Sequence, residues 1–219
     1  RPGVLGLRKM DFFAFGNLIT RWDGALQDRS YGPGLGFEWE SGESLNAYGL
    51  RGFTRLDESF DLSDTVTVDP GNYGMSILGW FASTAGHRPV VANSSGTFVW
   101  TWGGRLTTAQ ANLSFLPNRH VRLDAGGTRN WVRLPNGAFT ADLVNLRLSY
   151  AFSTRVALYA LAQYSSLDPS VSANIRLNVI HRPGSDLYLV FNELRGSDAS
   201  PWDFDRRAAI VKLTYLARF

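Results

Sequence analysis

Apolar and polar residues alternate along most of this chain with a period of two. Between Ser30 and Glu40, Tyr31, Pro33, Leu35, Phe37 and Trp39 share one face. Ser30, Gly32, Gly34, Gly36, Glu38 and Glu40 share the other. Successive side chains of a β-strand point to opposite sides, so this pattern predicts a strand with one greasy and one wet face. The same reading sets Ile175, Leu177 and Val179 against Asn174, Arg176 and Asn178, and Val144, Leu146, Leu148 and Tyr150 against Asn145, Arg147 and Ser149. Helical three-and-four spacing is scarce, and Gly, Pro or Asn-Gly interrupt the chain often.

About twelve such segments follow one another, most of them about 10–14 residues long, against the ~5–6 usual in soluble strands. They run Met10–Trp22, Arg29–Glu40, Ser44–Leu56, Asn72–Thr84, Val90–Trp102, Leu106–Leu116, Val121–Leu134, Phe139–Ala151, Arg155–Ser166, Ser170–Arg182, Asp186–Leu194 and Asp205–Phe219. The first and eleventh, with FFAF and LYLVF, are greasy on both faces, which leaves their phase open. The connections alternate as well. SGES, TAGHRP, LPNRH, AFSTR and HRPGSD read as tight turns; between them fall longer, more acidic links such as ESFDLSDTVTVDPG and RGSDASPWDF. Short turns at one end and longer loops at the other are the habit of outer-membrane barrels, and an even strand number returns both termini to the turn side. A soluble sandwich also alternates, but these strands are too long and too many for one, and the polar face is mostly Gly, Ser, Thr and Asn. The expected fold is all-β: a transmembrane, antiparallel, up-and-down barrel of about twelve strands, residues 1–219 forming a single barrel domain.

Composition sharpens this picture. Aromatics make up 13% of the 219 residues and glycine contributes 22, while charged residues are only 19%. No run of eighteen apolar residues occurs, so no helix is expected to cross a bilayer, whereas barrel strands stay near neutral in mean hydropathy because only alternate residues meet lipid. A net charge of +3 is too mild to imply nucleic acid. Cysteine is absent, which removes disulfides and thiolate-bound metals without fixing a compartment. The opening RPGVLGLRKM is not the apolar core of a signal peptide, so the expectation is that a leader was removed or that the chain was cut from something longer, the strand number rising if N-terminal strands are missing.

Rings with a polar edge favour the boundary between lipid and water. Trp22, Tyr31, Trp102, Trp131 and Tyr164 are expected in a girdle at the loop rim, and Trp39, Tyr150, Tyr215 and Phe219 in a second at the turn rim. The polar face is read as a lumen lined by Glu38, Glu40, Gln110, Asn112, Arg147, Asn174, Arg176, Asn178 and Lys212. Charges there need pairing or water.

The ending VKLTYLARF, with Val211, Leu213, Tyr215 and a terminal Phe219, resembles the closing strand of outer-membrane barrels. That resemblance implies recognition by the barrel assembly machinery. YAFSTRVALYALAQYSS, NIRLNVIHRPGSDLYLVFNE and AAIVKLTYLARF together resemble the end of a bacterial family of uncharacterised function, with LGLRKMDFF and SGESLNAYGL looser matches. Longer members of that family place a carbohydrate-binding-like module, similar to family 9, before a C-terminal outer-membrane barrel. The resemblance implies an outer-membrane location and that this chain is the C-terminal part of a longer protein.

Chemistry is sparse. His87, His120 and His181 all fall in or beside tight turns, and no HExxH, GxSxG or P-loop pattern occurs. The acidic LDESFDLSDTVTVD could offer oxygens to calcium but lacks the spacing and glycine of an EF-hand, and reads as a solvated outer loop. No catalytic residue, cofactor or metal is expected. The leading expectation is a passive pore for small polar solutes, saccharides by resemblance, or a membrane anchor for a larger assembly. The alternative is a closed structural barrel that docks partner proteins; an outer-membrane enzyme is the third and weakest reading. The expected partners are outer-membrane lipids, the assembly machinery, and other membrane or periplasmic proteins.

Overall fold

The computed structural model describes residues 6–196 and 200–216. Fourteen strands occur among them: β1 Leu7–Thr20, β2 Leu26–Trp39, β3 Ser44–Leu56, β4 Phe60–Ser63, β5 Val66–Val68, β6 Gly71–Ser83, β7 Val90–Thr101, β8 Gly104–Asn118, β9 Val121–Leu134, β10 Gly137–Ala151, β11 Val156–Ser165, β12 Ser170–Arg182, β13 Ser185–Gly196 and β14 Phe204–Thr214. Twelve form one sheet in the order β1-β2-β3-β6-β7-β8-β9-β10-β11-β12-β13-β14, and β4 and β5 form a separate pair. Each of the twelve lies beside its sequence neighbour once the β4–β5 pair is set aside, which is up-and-down topology. The expected spans of β3, β9 and β12 coincide with the observed ones, and the other nine differ by a few residues at their ends. The sheet order does not join β14 to β1, so the closure expected of a barrel is not part of the observed pairing.

The chain divides into two compact units. The first comprises Arg1–Arg88, Ala92–Ala111 and Arg129–Thr140; the second Pro89–Val91, Asn112–Thr128 and Ala141–Phe219. In the first, register places Phe12, Leu35, Ala47, Trp80 and Gly96 in one row across β1, β2, β3, β6 and β7. One residue along, the opposite face reads Phe13, Gly34, Tyr48, Gly79 and Thr97. This settles the phase of β1: its even positions continue the greasy face of β2.

In the second unit the greasy row is Tyr150, Leu158, Leu177, Leu189 and Val211 across β10 to β14. The wet rows beside it are Arg147, Leu161, Asn174, Asn192 and Ala208, and Asn145, Gln163, Ser172, Leu194 and Arg206. In β13 the odd positions Leu187, Leu189 and Phe191 therefore join the greasy face. Leu187 opposes Leu213 and Leu189 opposes Val211, as the terminal pattern predicts. β14 ends at Thr214; Tyr215 lies just beyond it, and Phe219 lies outside the described residues.

The hydrophobic positions of these strands are not gathered into a core. Among the described residues the buried apolar side chains are Val66, Val68, Ala85 and Val132, whereas Phe12 is 76% exposed, Leu146 56% and Leu213 75%. A soluble domain of this length buries most of its large aliphatic residues.

The long acidic link is the one segment that departs from expectation. Its residues Phe60–Ser63 and Val66–Val68 pair as a hairpin, with Val66 1% and Val68 3% exposed. It is not a solvated loop. Phe60 meets Trp102 edge to face at 5.5 Å between centroids, the Asn136 amide donates to the Thr67 carbonyl, and Val66 lies so close to Gly137 that a Cβ there would stand 3.0 Å from its Cγ2. The hairpin thus rests on the β7–β8 and β9–β10 turns of the first unit. Apolar burial of Val66 and Val68 drives this, with the acidic side chains left at the surface.

Candidate functional site

The wet face of each unit is the natural place to look for function, and the two units furnish it differently. In the first, β2 carries Gly32, Gly34 and Gly36 on that face; a β1 ring takes the space above Gly34, and a β3 ring takes the space above Gly79 of β6. A Cβ on Gly34 would lie 2.0 Å from Cε2 of Phe13, and one on Gly79 would lie 2.3 Å from Cζ of Tyr48. Phe13 and Phe15 meet edge to face at 5.1 Å, and Phe15 reaches Tyr48 at 6.0 Å. Alternating glycines thus make room for a three-ring cluster, with edge-to-face geometry favoured by ring quadrupoles. The expectation that this face is mostly small and polar is corrected here.

The expected lumen residues in this unit sit at its edges. Glu38 pairs with Arg8 at 3.2 Å, beside the Lys9–Asp11 pair at 2.7 Å. Gln110 accepts from Ser95 at 3.5 Å. Glu40 lies past the end of β2, in the turn to β3, where its backbone N–H donates to the Gly6 carbonyl at 2.9 Å; it is not part of the strand face. The same turn carries Glu43, which pairs with Arg88 of the β6–β7 turn. Glu43 accepts from the Ser41 hydroxyl and from its own N–H, and these bonds, then Arg88, hold its carboxyl below the ordinary value of 4.5.

In the second unit the wet face keeps the polar character expected of it. Asn174 donates to Asn192 across β12 and β13 at 2.5 Å. The Arg176 guanidinium stacks over the Tyr159 ring at 4.9 Å. Arg147, Asn174, Arg176, Asn178 and Lys212 occupy wet positions of β10, β12 and β14, Lys212 opposite Tyr188. Asn112 stands beside Asn145 on the same side, both within reach of the space over Gly126. The Asn178 Oδ1 is buried without a hydrogen-bond partner. Towards the turn end, Asp124 takes both oxygens to Arg122 Nε at 3.0 Å and accepts from the Ser114 hydroxyl at 2.5 Å.

Among the described residues, the aromatics expected in girdles lie in turns, just past a strand or in the outer half of one. Trp22 protrudes from the β1–β2 turn, fully exposed, and Tyr31, Trp131 and Tyr164 lie on greasy positions of β2, β9 and β11 near their loop ends. Trp39 closes β2, Tyr150 packs edge to face with Phe152 at 4.5 Å, and Arg182 covers Tyr215 at 4.7 Å. Trp102 turns instead toward Phe60 of the hairpin; it holds a positive φ of 51° and its indole N–H has no partner. A non-glycine residue in that region is strained and needs such packing to hold it.

His87 and His120 lie in turns, and His181 is the penultimate residue of β12. His120 Nδ1 lies 2.9 Å from the Ala151 carbonyl, and its Nε2 lies 3.1 Å from Arg119 Nε. Among the described residues no group of three His, Asp or Glu side chains could hold a metal.

One site escaped the sequence reading. At the loop end of the first unit a cavity of about 630 Å³ opens among Arg29, Tyr31, Arg51, Ser76 and Trp100. These are greasy-face positions, and the arginines were passed over because alternation assigns charge to the other side. No family model matches this chain, and neither curated proteins nor solved structures offer a match.

Proposed function

We propose that this chain is an outer-membrane β-barrel with a constricted interior, serving as a membrane anchor or scaffold for a larger assembly. The observation that carries this reading is the three-ring cluster of Phe13, Phe15 and Tyr48 seated on the glycines of the wet face. Rings there occupy space that a permeation path needs. The exposed greasy rows support membrane insertion, since hydrocarbon is the solvent that tolerates them. Closure of β14 on β1 would satisfy the free backbone groups of the two end strands, which lipid cannot do. Twelve strands enclose a volume between that of filled eight-stranded barrels and open porins, so side-chain size decides whether the lumen conducts.

A second reading, a narrow pore for small polar solutes, is favoured by the Asn, Gln and Arg rows of β10 to β14. Conductance in a planar bilayer separates the two. The anchor reading expects a silent or barely conducting wild type and steady ohmic steps from the Phe13→Ala/Phe15→Ala/Tyr48→Ala variant. Large steps from the wild type would overturn it in favour of the pore.

A further inference from the structure

We infer that the cavity between Arg29 and Arg51 binds the phosphate of an anionic lipid headgroup; this rests on the membrane-barrel reading. Register sets Tyr31, Arg51, Ser76 and Trp100 in one row across β2, β3, β6 and β7. That row belongs to the greasy face, in the loop-side part of each strand. Arg29 stands two residues from Tyr31 on the same face, its guanidinium 5.8 Å from the ring centre. Arg29 and Arg51 are diagonal cross-strand neighbours, within reach of a common ligand for long side chains. The floor of the cavity is open at Gly74, where an added Cβ would meet nothing within 4 Å.

The two guanidinium groups of this site lack a counter-charge from the protein. No carboxylate lines the cavity, and among the described residues none pairs with Arg29 or Arg51. Two other arginines near the loop end are neutralised from within, Arg55 by Asp57 at 3.0 Å and Arg207 by Glu193 at 3.1 Å.

Two guanidinium groups on a lipid-facing surface are costly in hydrocarbon and settle at the headgroup level, beside the rings that mark it. There an anion must come from outside the protein. Phosphate suits paired guanidinium forks better than any other headgroup oxygen, through bidentate charge-assisted bonds. The cavity opens on the greasy face beside Trp100 and Tyr31, so the phosphate it meets is one carried by a lipid.

The test uses the full chain folded in detergent micelles, with lipid binding read by native mass spectrometry. Dioctanoyl phosphatidic acid is expected to bind at least about ten-fold tighter than dioctanoyl phosphatidylcholine, and Arg29→Gln/Arg51→Gln to remove that preference. Arg207→Gln, whose guanidinium is held by Glu193, is expected to keep it. The proposal is overturned if the double variant retains the preference, or if Arg207→Gln loses it equally, which would mean diffuse charge. It is also overturned if inorganic phosphate displaces the lipid at equal concentration, which would mean a soluble-anion site. Insertion into phosphatidylcholine vesicles, followed by heat-modifiable migration on gels, is measured separately. A wild type that inserts without discriminating between lipids sinks this inference alone; one that does not insert sinks the barrel reading as well.

Discussion

The ring of Phe13 on β1 lies directly over Gly34 on β2, its Cε2 occupying the place where a side chain would begin, 2.0 Å from an ideal Cβ. Neither residue can change alone. Gly34→Val is expected to destabilise the fold by about 1–3 kcal/mol through overpacking. Pairing it with Phe13→Ala, which vacates the space, is expected to recover part of that loss. Urea unfolding in detergent micelles measures both, and simple additivity of the two changes would show that the ring does not sit there.

Leu177 and Asn178 are adjacent on β12 and face opposite solvents under the barrel reading. Leu177 lies between Leu158 and Leu189. Leu177→Arg is expected to cost about 2–4 kcal/mol if the position is near the bilayer midplane, and Asn178→Arg much less. Vesicle-folding equilibria of the two variants check this; reversed severities would mean that the wet and greasy faces have been assigned the wrong way round.

The β4–β5 hairpin holds its place through Val66 and Val68, so it is expected to come loose without the sheet unfolding. Val66→Asp buries an uncompensated carboxylate and should make residues 57–70 the first site of limited proteolysis, while the heat-modifiable gel shift of the folded protein persists. Equal protease resistance in wild type and variant would argue against the docked hairpin.

Glu43 supplies a pH dependence. Its carboxyl is lowered by the Ser41 hydroxyl, its own N–H and Arg88. A depressed folded value means that its contribution is fully present above the unfolded value near 4.5 and is lost as pH falls through the folded one. Amide protection in the β2–β3 and β6–β7 turns, corrected for the intrinsic pH dependence of exchange, is therefore expected to fall in acid, below that range. In Glu43→Gln the corrected protection should be lower at neutral pH and flat across the same interval.

Alternation alone determined the twelve strands, their order of pairing and most of their faces, because a strand with two different solvents on its two sides must write that difference into every second residue. Ser44–Leu56, Val121–Leu134 and Ser170–Arg182 were legible to the residue for that reason. Where both faces were greasy, as in FFAF and LYLVF, the chain held no local information on phase, and only the cross-strand register of β1 with β2 and of β13 with β14 supplied it. Gly34 read only as a small wet-face residue, and the ring that covers it, Phe13, was fixed by the strand lying alongside. The hairpin hid in an acidic segment because its partners, Trp102 for Phe60 and Gly137 for Val66, lie far away in sequence. Arg29 and Arg51 read singly as breaks in a pattern, and the pairing of β2 with β3 alone made them one site. Tertiary structure decided these matters because each is a relation between strands, and period-two patterning records only what a strand meets on its own two sides.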